Sequence, residues 1–164
     1  MDTSRSLVQS VLVTESPLPP FIRQADGLLF EGHAVQPPPG VLDRVVGQDL
    51  TFVRVDHQTR LQFGDFEIVI EGPFRVTTSD GTDHRLDAAL RASLGPVLDL
   101  FPDSLIAATV EADASLRLRL ASGATLDVPA DFEFEAWQVN GPGGFLVVCA
   151  TGGEGLALWG SSEE

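Results

Sequence analysis

From residue 41 to residue 160 the chain is cut into short runs of alternating apolar and polar residues, and outside one segment around 83–101 the gaps between runs are at most five residues long. Gaps of that length constrain the fold more than any other feature. Parallel neighbours need a crossover of roughly a dozen residues or more, whereas antiparallel neighbours are joined by tight turns. The runs LTFVRVD (50–56) and TRLQFG (59–64) are separated by His57 and Gln58 and read as a hairpin. In FEIVIEG (66–72), Phe66, Ile68 and Ile70 share one face and Glu67, Val69 and Glu71 the other. PFRVTT (73–78), SLIAATVE (104–111), SLRLRL (115–120), ATLDVP (124–129), FEFEAWQV (132–139), FLVVCAT (145–151) and LALW (156–159) extend the same pattern.

Residues 83–101 change period. Leu86, Ala89, Leu90, Leu94, Val97, Leu98 and Phe101 recur at three- and four-residue steps, which predicts helix. Gly95-Pro96 splits it into two short pieces, Asp83 serves as N-cap, and Pro102 ends the second piece. A faint repeat runs through the strands on either side. VRVDHQTRLQFGDFEIVI (53–70) and ATVEADASLRLRLASGATLDV (108–128) share the order strand, acidic turn, strand, small turn, strand, with Leu61 and Phe63 set against Leu116 and Leu118.

Residues 1–40 differ. PLPP (17–20) and QPPPG (36–40) cannot be central strands, because proline lacks the N–H that a ladder needs. They read as a proline-rich, partly ordered extension that contributes one strand across GLLFEGHAV (27–35); residues 161–164 read as a disordered tail. The expected fold class is therefore α+β, mostly β: one domain over 41–160, an antiparallel meander of about nine strands, with two duplicated sheet units joined by a short broken helix.

Charge narrows the function. The formal net charge is −14, all ten basic residues are arginine, and there is no lysine or tyrosine. Nucleic-acid binding is disfavoured, since phosphate backbones are held by many cations, and an acidic membrane surface is disfavoured likewise. Without lysine there is no Walker-type phosphate loop, Schiff base or lysine general base. The field instead steers a basic protein partner. No apolar run reaches the roughly 18 residues that cross a bilayer. The N-terminal residues lack the basic start and long apolar stretch of a secretory signal, and the single cysteine, Cys149, sits in an apolar strand. The expectation is a cytoplasmic protein.

No catalytic set assembles. His33, His57 and His84 are too widely spaced for a typical zinc site, and Asp80, Asp83 and His84 are explained by a turn and a cap. There is no Gly-x-Ser-x-Gly elbow, and strands follow both GPGG (141–144) and ATGGEG (150–155), where a phosphate cradle needs a helix. No catalytic residue, metal ligand or cofactor is expected. The candidate contact residues are Glu133, Glu135 and Trp137, with Glu67 and Glu71. If Phe132 and Phe134 face the core, Trp137 stands outside as an interface anchor; a bulge near Ala136 would bury it instead, the usual place for a large aromatic.

RVDHQTRLQF (54–63), LGPVL (94–98) and EAWQVNGPGGFLVVCATGGEGLALW (135–159) together resemble an uncharacterised family of small actinobacterial proteins, number 6188 among the domains of unknown function. The resemblance covers about 45–160 and implies a fold but no activity. Small acidic domains of this kind look like immunity proteins that neutralise toxins, by analogy alone. The resulting expectation is an acidic protein-binding module, an immunity-type inhibitor or regulatory partner of a basic protein. Two alternatives stay open: a small-ligand or metal-assisted enzyme using strand carboxylates, and a structural homodimer.

Overall fold

The computed structural model describes residues 22–23, 29–34, 36–153 and 155–161. The PLPP stretch and residues 162–164, for which a partly ordered extension and a disordered tail are expected, lie outside the described residues; Ser161, expected in that tail, instead ends a strand and pairs with Leu29. Thirteen strands in two antiparallel sheets are present among those described. In chain order they are β1 (Ile22–Arg23), β2 (Leu29–Ala34), β3 (Leu50–Val55), β4 (Thr59–Phe63), β5 (Phe66–Ile70), β6 (Phe74–Thr77), β7 (Asp83–Leu86), β8 (Leu105–Val110), β9 (Leu116–Leu120), β10 (Thr125–Val128), β11 (Trp137–Asn140), β12 (Leu146–Cys149) and β13 (Leu156–Ser161). Eight of them form one sheet in the order β1-β2-β13-β12-β11-β5-β4-β3, and five form the other in the order β7-β6-β10-β9-β8. No helix among the described residues is long and apolar enough to cross a membrane.

The fold class is as expected, but 83–101 is not one broken helix. Asp83–Leu86 is an edge strand on β6, with Asp83 opposite Thr77 and accepting its hydroxyl hydrogen bond at 2.7 Å. Asp83 is therefore no helix cap. A 3-10 turn (Arg91–Leu94) then leads into a single α-turn, α1 (Gly95–Leu98), with proline in its first turn. The three- and four-residue spacing misleads here: Leu86, Leu94 and Val97 are buried, but Leu90, Leu98 and Phe101 are all more than half exposed. Leu86 points inward because it alternates in a strand, not because it lies on a helix face.

The faint repeat has a structural counterpart in two copies of one strand arrangement, and backbone hydrogen bonds show their symmetry. Leu50 N–H donates to Asp103 O at 2.8 Å, and Leu105 N–H donates to Gln48 O at 2.9 Å. Gly64 N–H donates to Asp49 O, and Ala121 N–H to Ser104 O, around the isolated bridge between Asp49 and Ser104. Each copy opens with an irregular first strand, the register shifting between Leu50 and Phe52 in one and between Leu105 and Ala107 in the other. The pairings Leu61 with Ile68 and Leu118 with Leu126 then match Leu61 to Leu118 and Phe63 to Leu120. The sequence expectation was one two-residue step off. Strand alternation looks the same after a shift of two, so only the bulge and turn lengths fix the match.

After its third strand each copy crosses into the other sheet. β6 follows β5 but pairs with β10; β11 follows β10 but pairs with β5. The two copies are thereby bound together, and their inward residues share one core: Leu61, Ile68, Ile70, Trp137 and Val139 from the larger sheet meet Phe74, Val76, Leu116, Leu118 and Leu126 from the smaller. Non-directional apolar burial of this kind is the main term holding such a body together.

Candidate functional site

The two crossovers lie beside each other, because Glu71 N–H in the first donates to Ala136 O in the second at 2.9 Å. They are unequal. The first runs from β5 to β6 through Glu71, Gly72 and Pro73, whereas the second runs from Pro129 to Ala136 between β10 and β11. Pro129 ends the ladder of β10. Asp131 then turns the chain: its carboxylate accepts Glu133 N–H at 2.7 Å, and its carbonyl accepts Gly152 N–H at 2.8 Å. An Asp side chain bonded two residues ahead is a local turn that competes with strand pairing.

This turn resets the phase of the chain. Residues 132–134 form a bend, and the strand begins only at Trp137. Phe132 is 87% exposed and Phe134 40%, while Trp137 is 1% exposed. The arrangement with Phe132 and Phe134 toward the core is thus reversed. Trp137, the candidate anchor, is buried and closed to a partner, as the bulge reading requires; its Nε1–H donates to Ala114 O at 2.9 Å across the core. Cys149 Sγ lies 3.5 Å from the same carbonyl. Burial pushes the Cys149 thiol up to about 11, and the nearby Asp113, Glu135 and Asp131 charges push the same way. A neutral thiol in that setting is a packing group.

The remaining candidates are not all together. Glu133 and Glu135 are exposed on the second crossover, and Glu71 is exposed on the first, accepting a hydrogen bond from Gln58 Nε2. Glu67 is half-buried on the outer face of β5, 3.5 Å from Arg60 Nη1, and stands apart from the crossovers. Glu133 and Glu135 are loop residues, not a strand pair. Among the described residues no group of three or more His, Cys, Asp or Glu is placed to hold a metal ion.

Beneath the second crossover is a cleft of about 470 Å³, lined by Gly72 and Pro73 from the first crossover, Pro129, Asp131, Phe134 and Ala136 from the second, and outward side chains of the smaller sheet. Strand registers put Arg85, Arg75, Asp127 and Arg117 in one row across β7, β6, β10 and β9. Arg117 Nε is 2.6 Å from Asp127 Oδ1, and that hydrogen bond raises the Arg117 pKa further. Asp113 accepts Ser115 N–H at 3.0 Å and its hydroxyl at 2.6 Å, which lowers the Asp113 pKa.

Sequence reasoning missed Phe132, Phe134 and this arginine row. Pro129 and Asp131 were the available signals for the loop, since both interrupt a ladder. The row carried no local signal, because it exists only through pairing across four strands. Against known proteins, a model described as a family of unknown function matches residues 41–160, which takes in both copies of the strand arrangement. No curated protein and no solved structure matches the chain.

Proposed function

The chain belongs to the family of unknown function DUF6188, and from that premise we propose that it is a protein-binding module whose contact surface is the second crossover. The single observation that supports this is the exposed Phe132-Glu133-Phe134-Glu135 run. The first crossover makes the same sheet-to-sheet passage in three residues, so the longer loop is not required by the framework. A phenylalanine 87% in water forgoes about 1.5–3 kcal/mol of available burial. Aromatic residues in such a position serve as anchors when a partner covers them.

Glu133, Glu135 and Glu71 border those rings, and the chain carries a net charge of −14. The matching partner is a basic protein with an apolar recess, drawn in by charge and held by the aromatic pair. An immunity-type inhibitor or a regulatory subunit, acting in the cytoplasm and not as an enzyme, is the form this reading takes. Quantitative affinity capture from the source cell, comparing wild type with Phe132→Ser/Phe134→Ser and with Glu133→Gln/Glu135→Gln, tests it. A basic protein should be enriched by wild type, lost with the phenylalanine variant and reduced with the glutamate variant. Equal capture by all three chains, or enrichment of nothing, refutes the reading.

A further inference from the structure

We propose that the cleft under the second crossover is an oxyanion site. Arg75 and Arg85 hold the carboxylate or phosphate of a small ligand, and Phe134 packs against that ligand's aromatic part. This goes beyond the protein-binding reading and does not depend on it.

Arg75 and Arg85 sit directly opposite each other on antiparallel strands. Like charges so placed destabilise a sheet. The framework does not ask for them: the matching pair in the other copy is Gln138 opposite Val148. In a chain with 24 acidic and ten basic residues, two arginines set face to face are the less expected choice. Relief from within is partial: Asp127 stands opposite Arg75 on β10, but its carboxylate is drawn to Arg117 at 2.6 Å. Asp113 and Asp131, also in the lining, keep their charge while accepting hydrogen bonds from Ser115 and from Glu133 N–H. Among the described residues neither Arg75 nor Arg85 makes an ion pair.

Two guanidinium groups present planar forks of N–H donors, which match a carboxylate or phosphate in two-point contact. The volume of about 470 Å³ falls within the ordinary range for small-molecule sites. Phe134 supplies the apolar wall that such sites combine with a few convergent polar groups.

The test is titration of phenyl phosphate into the full chain at low ionic strength, read by side-chain Nε–H and backbone amide NMR shifts. Inorganic phosphate, benzoate and phenol are run as comparison probes. Saturable shifts are expected at Arg75, Arg85 and residues around Phe134. Phenyl phosphate should bind about tenfold more tightly than inorganic phosphate, and phenol should not bind, since a tenfold ratio is the scale of one good added contact. The benzoate arm separates a carboxylate site from a phosphate site. Arg75→Gln and Arg85→Gln, both at exposed positions, should each weaken binding about tenfold without lowering the melting temperature. Phe134→Ala should erase the preference for the aromatic probe while leaving phosphate binding intact. Absence of saturable shifts up to about 20 mM of all three anionic probes, or affinity unchanged in the double arginine variant, overturns the proposal. The probes need no protein partner, so this outcome is separate from that of the capture experiment.

Discussion

Trp137→Phe tests the argument that the phase of β11 is set by the core. Trp137 is 1% exposed, and its indole N–H donates to Ala114 O at 2.9 Å, tying the larger sheet to the turn between β8 and β9. Phenylalanine keeps the apolar contact and removes the donor. Ala114 is itself buried, and a buried acceptor left alone costs about 1–3 kcal/mol. Cys149 Sγ still reaches that carbonyl, so the lower end, about 1 kcal/mol, applies. Truncating a core tryptophan to alanine costs about 3–5 kcal/mol, and a phenyl ring refills much of the space, leaving about 1–2 kcal/mol for the void. The expected loss is therefore about 2–3 kcal/mol, measured by urea unfolding followed by far-UV circular dichroism. Trp159→Phe, at a position 38% exposed, is the control and should change stability by less than about 0.5 kcal/mol. The same control leaves Trp137 as the sole indole, which should fluoresce in the blue and resist acrylamide quenching. A Trp137→Phe loss below about 0.5 kcal/mol, or a quenchable Trp137, would refute the reasoning.

Other expectations follow from the repeated arrangement and the core. Thr59 occupies the place of Leu116, is fully buried, and its hydroxyl has no partner among the described residues; Thr59→Val should raise stability by about 1 kcal/mol in denaturant titration. Gly160 has φ +122°, and an added Cβ would lie 2.5 Å from Phe145 Cα, so Gly160→Ala should lower stability by about 2–4 kcal/mol in the same assay. The Cys149 thiol, raised from 9.0 to about 11, should carry about a hundredfold less thiolate at pH 8 than a free thiol and react correspondingly slowly with iodoacetamide until the chain is unfolded. Because the folded pKa lies above the unfolded one, this group's contribution to stability is full below pH 9 and is lost as pH rises toward 11; Cys149→Ala should lack that part of the alkaline decline.

The contact surface was partly legible. Glu133 and Glu135 read as exposed and are exposed. The rings read as inward, Phe132 and Phe134, are the ones in water, and Trp137, left open between the two faces, is inside. An F-E-F-E run by itself fits a strand of either phase. The decision comes from the Asp131 turn and from the pairing of Trp137 with Ile70, a partner far away in the chain.

Period-two alternation, short polar gaps, and glycine or proline at turns are local properties, set by sterics and by burial of one strand face. They are enough to dictate an antiparallel, mostly β body, and the absence of lysine excludes lysine chemistry outright. Which strand lies beside which is a different matter. The reciprocal crossing of β6 to β10 and of β11 to β5, the exact match between the two copies, and the row of Arg85, Arg75, Asp127 and Arg117 all depend on pairing between distant segments. Alternating strands are nearly interchangeable in isolation, so these choices are made only when both sheets close over one core.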